Sequence, residues 1–266
     1  MMKICRYVIS LFLLAASPTL VAAQELRDLA PYLDKSVGKV LTFNRSGALS
    51  GSGSGFAVAR GENDGEILFL TNDHVVAGSN SQRVSYGEDN LVKSFEAEVL
   101  LADPEYDMAL LLLKPRSAHG FTPQILRLAD FVIEQGDDVY AIGFPGFSDR
   151  ILESFSDPAF FEPVLTSGIV GKRFDSVWVQ GGRRVEFIQH SAEINPGNSG
   201  GPLVDRCGNV VALNTAVPSD ASIAGASLSS SAKSISEFLG RTIANPVPSG
   251  GGVTAALVVE AFREIK

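Results

Sequence analysis

Short apolar runs separated by turn residues follow one another along most of this 266-residue chain. Residues 96–100 alternate between polar and apolar side chains, which is typical of a strand with one buried face. Residues 108–113 are continuously apolar, which indicates a strand buried on both faces. Many short strands at regular spacing favour an all-β barrel class over an alternating α/β fold. The predicted strands are residues 40–43, 55–58, 66–70, 96–100, 108–113, 139–142, 165–170, 176–179, 185–188, 202–204 and 209–214.

The first residues of the chain have the pattern of a secretory signal peptide. Lys3 and Arg6 precede an apolar run at 7–16, and Val21-Ala22-Ala23 is a small-residue cleavage site. The apolar run is too short to span a bilayer comfortably. We therefore predict that residues 1–23 are removed on export. An uncleaved membrane anchor is the alternative, but no stop-transfer stretch follows to favour it.

The strand pattern divides the remaining chain into two groups. Residues 24–135 are predicted to form an N-terminal β-barrel, and residues 136–242 a C-terminal β-barrel with a closing helix at 231–239. The glycine-rich stretch 51–55 lacks the lysine and the following helix of a phosphate-binding loop, so a turn is predicted there. Residues 243–266 are predicted to be a linker and a short tail, too short for a further domain.

Charge and composition exclude some function classes. The formal net charge is −8 without a basic cluster, which argues against nucleic acid as a partner. No clustered His/Cys spacing suggests a metal site, and we expect no cofactor. Removal of the signal would take Cys5 with it and leave Cys207, in a turn, as the lone cysteine. Export without a disulfide favours the bacterial periplasm over a eukaryotic extracellular fluid.

The most informative stretch is Asn195-Pro196-Gly197-Asn198-Ser199-Gly200-Gly201-Pro202. Glycines permit tight turns that expose a serine hydroxyl and direct backbone N–H groups into the same space. Acyl transfer needs that combination of a nucleophile and donors for the oxyanion. An ordinary loop between strands is the alternative, and the complete eight-residue string favours Ser199 as a nucleophile.

A serine nucleophile needs a base, and the chain has three histidines. His74 stands at the end of an apolar run, whose strand is expected to carry its ring to the edge of a buried layer. His119 lies in a polar segment that is typical of a solvated loop. His190 could be a strand residue near the site, but a hydrogen-bonded structural histidine is favoured. His74 is therefore the predicted base.

The base in turn needs an orienting carboxylate. Asp107 begins the apolar run 107–113, where a buried charge without a partner would be costly. A histidine N–H is a suitable partner and would fix the imidazole tautomer. Asp103 is the rival, although a surface turn suits it better. Asp107 is the predicted orienting residue.

The order His74, Asp107, Ser199 resembles that of the chymotrypsin-like serine proteases. The flanking residues resemble the HtrA/Deg branch in the strings Thr71-Asn72-Asp73-His74-Val75 and 195–203. Further similarity lies at 141–145, 166–170 and 211–216, so the resemblance covers about residues 36–240.

The resemblance implies two six-stranded antiparallel barrels with the active site in the cleft between them. It also implies an oxyanion hole formed by the backbone N–H groups of Gly197 and Ser199. Many HtrA proteins carry a C-terminal PDZ domain. The segment after the barrels is too short to form one, so we expect no PDZ domain here. HtrA relatives are often trimers, so an oligomer is possible here.

Substrate preference depends on the residues around Ser199. The resemblance puts Glu193, Ile194, Asn214 and Thr215 beside the bound substrate. Glu193 lies six residues before the nucleophile, where trypsin-like enzymes hold a carboxylate, so a partial preference for Arg or Lys before the cut is one hypothesis. A solvent-facing Glu193 is the other. The segment 148–163 is longer than its HtrA counterpart and could shape the cleft or be a packed surface loop.

The sequence thus predicts a secreted serine endopeptidase of the bacterial periplasm that acts on polypeptides through an acyl-enzyme. No stable membrane insertion is expected after signal cleavage. Protein quality control is the role that the HtrA resemblance implies. A catalytically silent protein of the same fold that binds polypeptides is the alternative, and a chaperone-like binder is a third hypothesis.

Overall fold

The computed structural model describes residues 26–61, 63, 65–115, 120–146, 157–216 and 226–244. Its strands form two closed six-stranded barrels, and all paired strands within them run antiparallel. The predicted fold class is therefore confirmed. The first barrel contains β1 Val37–Phe43, β2 Leu49–Arg60, β3 Ile67–Thr71, β4 Ser81–Glu88, β5 Leu91–Asp103 and β6 Met108–Pro115. The second contains β7 Asp138–Gly143, β8 Val164–Val177, β9 Arg184–His190, β10 Pro202–Val204, β11 Val210–Ala216 and β12 Ser227–Ser231.

In the part of the chain that the structure describes, three named α-helices accompany the barrels: α1 Leu26–Asp34, the short α2 Asp73–Val76, and α3 Ala232–Ala244. The predicted closing helix is α3, which begins after Ser231, whose Oγ accepts a hydrogen bond from the Ser234 N–H at 3.3 Å. Its apolar face buries Ile235 and Phe238, as the sequence pattern predicted. None of the helices in the described ranges is long and apolar enough to cross a membrane.

Strand β6 shows why its sequence is apolar at every position. Ala109, Leu111 and Leu113 pack inside the first barrel, and the alternate residues Met108, Leu110 and Leu112 join a second cluster on the opposite face. That second cluster includes residues of both barrels and of α1 and α3. Successive side chains of a strand point to opposite faces, so a strand covered on both sides has no polar position. The same cluster holds the two barrels against each other. Each fully buried leucine contributes about 1.5–3 kcal/mol to the hydrophobic stabilisation.

The glycine-rich stretch 51–55 is part of β2 rather than a turn, so that prediction was wrong. These residues pair with β1 from Thr42 to Gly38. A Cβ on Gly53 would lie 2.7 Å from a methyl of Val75, and one on Gly55 would lie 2.6 Å from the Leu70 carbonyl oxygen. Small residues are needed here because neighbouring segments approach the strand closely.

Several other elements differ from the sequence prediction. The predicted strands at 165–170 and 176–179 belong largely to one long strand, β8, which has a register shift between Val170 and Lys172. Strands β4 and β12 and helix α1 were not predicted. His74 lies on α2, one turn of helix after β3, and not on the strand itself.

Cys207 lies in the turn between β10 and β11, as predicted, where its N–H donates to Asp205 Oδ1 at 2.8 Å. Cys5, the other cysteine of the sequence, lies outside the described residues. That Cys207 is the lone cysteine once the signal is removed stays a prediction, as does the bacterial periplasm that this favours.

Candidate active site

The base predicted from the sequence is held where β3 of the first barrel ends. After Thr71 the chain leaves the strand, and Asn72 precedes the short helix α2 that carries His74. Asn72 is fully buried, and its side-chain amide donates a hydrogen bond to the Asp107 carbonyl oxygen at 2.7 Å. This bond fixes the segment that leads into His74 against the turn that carries Asp107.

Asp107 lies in the tight turn between β5 and β6, with a left-handed φ of +53°. Aspartate tolerates this conformation better than most residues. Its side chain is 1% exposed, whereas that of His74 is 42% exposed. One carboxylate oxygen accepts the backbone N–H of His74 at 3.0 Å. The carboxylate oxygens lie 2.9 and 2.8 Å from His74 Nδ1. The structure therefore brings His74 and Asp107 together.

This contact determines which ring nitrogen of His74 carries the hydrogen. An ionised carboxylate can only accept hydrogen bonds, so Nδ1 must donate and Nε2 keeps its lone pair. The buried negative charge of Asp107 also favours a positive charge that develops on the ring. The pair is arranged for an imidazole that accepts a proton at Nε2 and is stabilised once it has done so.

Trp178, at the end of β8, packs against His74 from the second barrel. The two rings are nearly parallel, at 23°, with centroids 6.4 Å apart. The ring of Phe187 lies next to the indole, with a centroid distance of 6.3 Å. The tryptophan thus limits the positions that the imidazole can occupy. The sequence analysis gave Trp178 no role, because its distance from His74 along the chain hides the contact.

Ser199 reaches the same place from the second barrel, on the loop between β9 and β10. Its carbonyl oxygen accepts the Ser54 N–H of the first barrel at 2.8 Å. A Cβ on the next residue, Gly200, would lie 3.1 Å from Asn72 N, two residues before His74. The loop that carries Ser199 therefore packs directly on the segment that leads into His74.

The hydroxyl of Ser199 donates to the Thr215 carbonyl oxygen at 3.3 Å, and no hydrogen bond joins it to His74 among the described residues. The Thr215 hydroxyl accepts a 3.4 Å hydrogen bond from the side-chain amide of Asn72, the residue that precedes the short helix of His74. Catalytic hydrogen bonds are often long or poorly aligned without substrate. Rotation about the Cα–Cβ bond of Ser199 would move the hydroxyl away from the Thr215 carbonyl oxygen and let it donate to a different acceptor.

The carbonyl oxygens of the three residues before Ser199 each accept a hydrogen bond, which fixes the orientation of their peptide units. Pro196 O accepts the Gly146 N–H at 2.8 Å, Gly197 O accepts the Ser54 hydroxyl at 2.7 Å, and Asn198 O accepts the Gly201 N–H at 3.0 Å. In a trans peptide the N–H points opposite to the C=O. Gly197 has a φ of +103°, which favours glycine. Within the described residues, neither the Gly197 N–H nor the Ser199 N–H donates a hydrogen bond, whereas the Asn198 N–H between them binds Asn195 O. Within the described residues, two free N–H donors therefore lie close together, one on Ser199 itself and one two residues before it.

The residues predicted to bind substrate fall into two groups. Glu193 is exposed, and its carboxylate accepts only a 3.3 Å bond from the Asn195 side chain among the described residues. Ile194, Asn214 and Thr215 are buried. The Asn214 amide nitrogen donates to the Pro202 carbonyl at 3.1 Å, which gives that side chain a structural task.

Two other candidates from the sequence have the structural roles that were favoured for them. Asp103, the rival of Asp107, closes its own turn by accepting the Glu105 N–H at 2.9 Å. His190 is buried, with Nε2 2.8 Å from Ser229 Oγ on β12. His119 lies outside the described residues.

The long segment 148–163 is described only from residue 157 onward. Pro158–Phe161 forms one turn of 3₁₀ helix after Asp157, whose carboxylate accepts the Ala159 N–H at 2.9 Å. Phe160 and Phe161 are buried against Leu41 of the first barrel. This part of the segment is packed, while a role in shaping the cleft stays a prediction.

Burial lowers the pKa of His190 from 6.5 to about 4, with a main-chain contact at Ala192 partly opposing it. Between these values the unfolded chain binds a proton that the folded chain does not. The free energy of unfolding should therefore fall by about 3 kcal/mol as the pH drops from 6.5 to 4. Above pH 6.5 this contribution is fully present.

Urea unfolding of wild type and His190→Gln at pH 7 and pH 4.5 measures this effect. We expect the wild type to lose more stability than the variant between the two pH values. The raised pKa of Asp34, about 6, acts in the opposite direction but is common to both proteins and cancels in the comparison. Equal losses in the two proteins would contradict the assignment to His190.

Comparisons with known proteins agree with this geometry. Residues 53–213 match the family model described as the trypsin-like peptidase domain. The putative serine protease HhoA of Synechocystis is 31% identical over 207 residues, 76% of this chain and 47% of that protein. Serine protease HTRA1 of Xenopus laevis is 33% identical over 198 residues, 68% of this chain and 37% of that protein. The chain thus spans less than half the length of these relatives.

A solved structure shares the fold at lower identity. The active form of the Rv3671c protease from M. tuberculosis superposes with a TM-score of 0.65 at 22% identity, covering 94% of this chain and 98% of that one. The family match covers more than half of the chain, begins within β2 and includes His74, Asp107 and Ser199. The resemblance drawn from the sequence is confirmed: the chain belongs to the trypsin-like peptidase family, with relatives in its HtrA/Do branch.

Proposed function

We propose that the protein is a serine endopeptidase that hydrolyses peptide bonds of polypeptides through an acyl-enzyme. Ser199 is the nucleophile, His74 the general base and acid, and Asp107 the residue that orients His74. The observation that carries this proposal is the meeting of two half-sites. The first barrel supplies a His74–Asp107 pair at 2.8 Å, and the second supplies Ser199 together with the N–H groups of Gly197 and Ser199, which have no partner among the described residues.

The proposed reaction begins when His74 Nε2 takes the proton of the Ser199 hydroxyl as Oγ attacks the substrate carbonyl carbon. The carbonyl oxygen becomes an oxyanion and accepts hydrogen bonds from the backbone N–H groups of Gly197 and Ser199. His74 then gives its proton to the leaving amine as the C–N bond breaks, which leaves an acyl-enzyme. Water then attacks the acyl carbon while His74 accepts a proton from it. His74 returns this proton to Ser199 Oγ as the ester bond breaks and the acid is released.

Digestion of an unstructured protein such as casein tests the endopeptidase activity. We expect internal cleavage sites by mass spectrometry with the purified wild type and none with Ser199→Ala prepared in parallel. Fragments that appear equally in both preparations would come from a contaminant and would contradict the proposal.

Glu193 offers a test of substrate preference. Its carboxylate is exposed and makes only a long hydrogen bond to Asn195, which supports the solvent-facing alternative over a basic-residue pocket. Because exposed charges interact weakly, we expect Glu193→Ala to change relative cleavage rates by less than about twofold. Profiling of both proteins on one peptide library measures this. A selective loss of cleavage after Arg and Lys would instead support the pocket.

A catalytically silent polypeptide-binding protein is the second candidate. The observation in its favour is that the Ser199 hydroxyl donates to Thr215 O at 3.3 Å instead of to His74. A silent protein would bind casein without cleaving it. The digestion experiment, run beside a binding measurement, separates the two candidates.

We further propose that the protein works in the bacterial periplasm, in protein quality control. The predicted signal segment 1–23 and the HtrA/Do relatives support this setting. Mass spectrometry of the N-terminus after expression in a bacterial host tests the export step. A mature chain that starts at Gln24 is expected in the periplasmic fraction, and an intact N-terminus in the cytoplasm would contradict it.

A further inference from the structure

We propose that Ser54, on β2 of the first barrel, is a positioning residue for the oxyanion hole. Its hydroxyl holds the Gly197–Asn198 peptide in the orientation that leaves the Gly197 and Ser199 N–H groups free for the substrate. This inference rests on the proposed protease function and adds to it a residue from the opposite barrel.

The Ser54 hydroxyl makes two hydrogen bonds at once. It donates to the Gly197 carbonyl oxygen at 2.7 Å and accepts the Phe144 N–H at 2.9 Å. Ser54 is fully buried, so each of these groups would lose its partner without gaining water. The hydroxyl thereby joins the nucleophile loop to the segment that follows β7.

The main chain of Ser54 adds two more bonds to the same junction. Its N–H donates to Ser199 O at 2.8 Å, and its carbonyl oxygen accepts the Thr71 hydroxyl at 2.7 Å. Thr71 is the last residue of β3, just before the segment that carries His74. One residue therefore connects the nucleophile, the oxyanion loop and the strand leading to the base.

Gly197 is the position at which this support matters most. At φ +103° it lacks the steric restraint that a Cβ would give, so the flanking peptides can rotate unless hydrogen bonds hold them. The Gly146 N–H holds the peptide on one side, and the Ser54 hydroxyl holds the peptide on the other.

The peptide held by Ser54 lies between the two that carry the Gly197 and Ser199 N–H groups, and its own N–H, that of Asn198, binds Asn195 O at 2.9 Å. Loss of the hydroxyl removes one of these two hydrogen bonds, which loosens the segment between the N–H donors and allows them to turn from the attacked carbonyl.

A serine suits this position better than other small residues. The site needs one group that both donates and accepts, and a hydroxyl does both. The space is also narrow, because a Cβ on Gly143 would lie 2.8 Å from Ser54 Oγ. Alanine is small enough for the site but makes neither hydrogen bond. Cysteine has a similar shape but makes only weak hydrogen bonds.

Steady-state kinetics of Ser54→Ala and Ser54→Cys test the proposal, with Ser52→Ala as the matched control. Ser52 is an exposed serine on the same strand, two residues earlier. We expect kcat to fall by about 10–100-fold in both Ser54 variants, somewhat less than on removal of an oxyanion donor itself. KM should change by less than about twofold, because substrate binding before attack does not use the oxyanion donors.

A peptidyl boronic acid gives a second readout that a purely structural role would not move. It forms a tetrahedral adduct with Ser199 that occupies the oxyanion hole, so its affinity should fall in parallel with kcat in each Ser54 variant that folds. If Ser54→Ala does not fold, Ser54→Cys alone decides the outcome.

A kcat equal to that of Ser52→Ala, or a rise in KM with kcat unchanged, would overturn the role of Ser54. An inactive wild type would instead refute the protease function, and this result appears before any variant is compared. The two failures are therefore distinguishable.

Discussion

Replacement of Ser199 by alanine is expected to lower kcat by about 10⁶-fold, the scale of nucleophile loss in an unrelated serine protease. The acyl-enzyme cannot form without the hydroxyl, so only the oxyanion donors and substrate binding would still contribute. The change should leave the fold intact, because the only side-chain hydrogen bond that it removes among the described residues is the 3.3 Å contact with Thr215 O. Initial rates on an internally quenched peptide, with circular dichroism as a check of folding, measure the effect.

The double variant Ser199→Ala/His74→Ala is the control for this result. Residues that act as one unit have non-additive effects, so the double variant should be about as slow as the single one. A further multiplicative loss would show that His74 acts in a step independent of Ser199. That result would contradict the proposed proton transfer between them.

Replacement of Asp107 by asparagine is expected to lower kcat by about 10⁴-fold. The carboxylate accepts both the His74 N–H and the ring Nδ1–H, and it is nearly fully buried. An amide can direct its NH₂ group at Nδ1, which would place the imidazole hydrogen on Nε2. His74 would then have no lone pair facing the serine.

Asp103→Asn provides a matched control for this prediction. Asp103 ends β5 only four residues earlier, and its carboxylate accepts the Glu105 N–H instead of a histidine. We expect its kcat to stay within about threefold of wild type, the range of substitutions away from the site. The pH dependence of kcat, measured for all three proteins, identifies the carboxylate coupled to His74. Similar losses in both variants would contradict the specific role of Asp107.

The parts of the fold that could be predicted are those where local pattern and tertiary burial agree. Strand β6 is the clearest case, since a strand covered on both faces has to be apolar throughout. Strand β12 could not be found in this way. Its buried serines are satisfied by partners such as His190 and Asn214, which are distant in sequence and leave no apolar signal.

The glycines of β2 mark a different limit. Glycine-rich runs usually indicate turns, but here they allow Val75 and the Ser199 carbonyl to approach a regular strand. The reason lies entirely in neighbours that the local sequence does not reveal. Helix α1 is similar, because Leu29 and Leu33 are buried by contacts with the barrel cluster.

The three catalytic candidates were accessible from sequence because each stands in a short string with a chemical requirement. Ser54 and Trp178 were not, because their contacts with Gly197 and His74 arise only when the barrels meet. The residues proposed to perform the chemistry lie in short sequence motifs, whereas the residues that position them come from distant parts of the chain.

Covalent labelling with a fluorophosphonate tests the central claim most directly, because the probe reacts only with a serine activated by its neighbours. Wild type, His74→Ala and Ser199→Ala are treated alike, and the modified residue is located by tandem mass spectrometry. We predict a single adduct on Ser199 in the wild type and none in either variant. An unlabelled wild type, or labelling of Ser199 that persists without His74, would contradict the account.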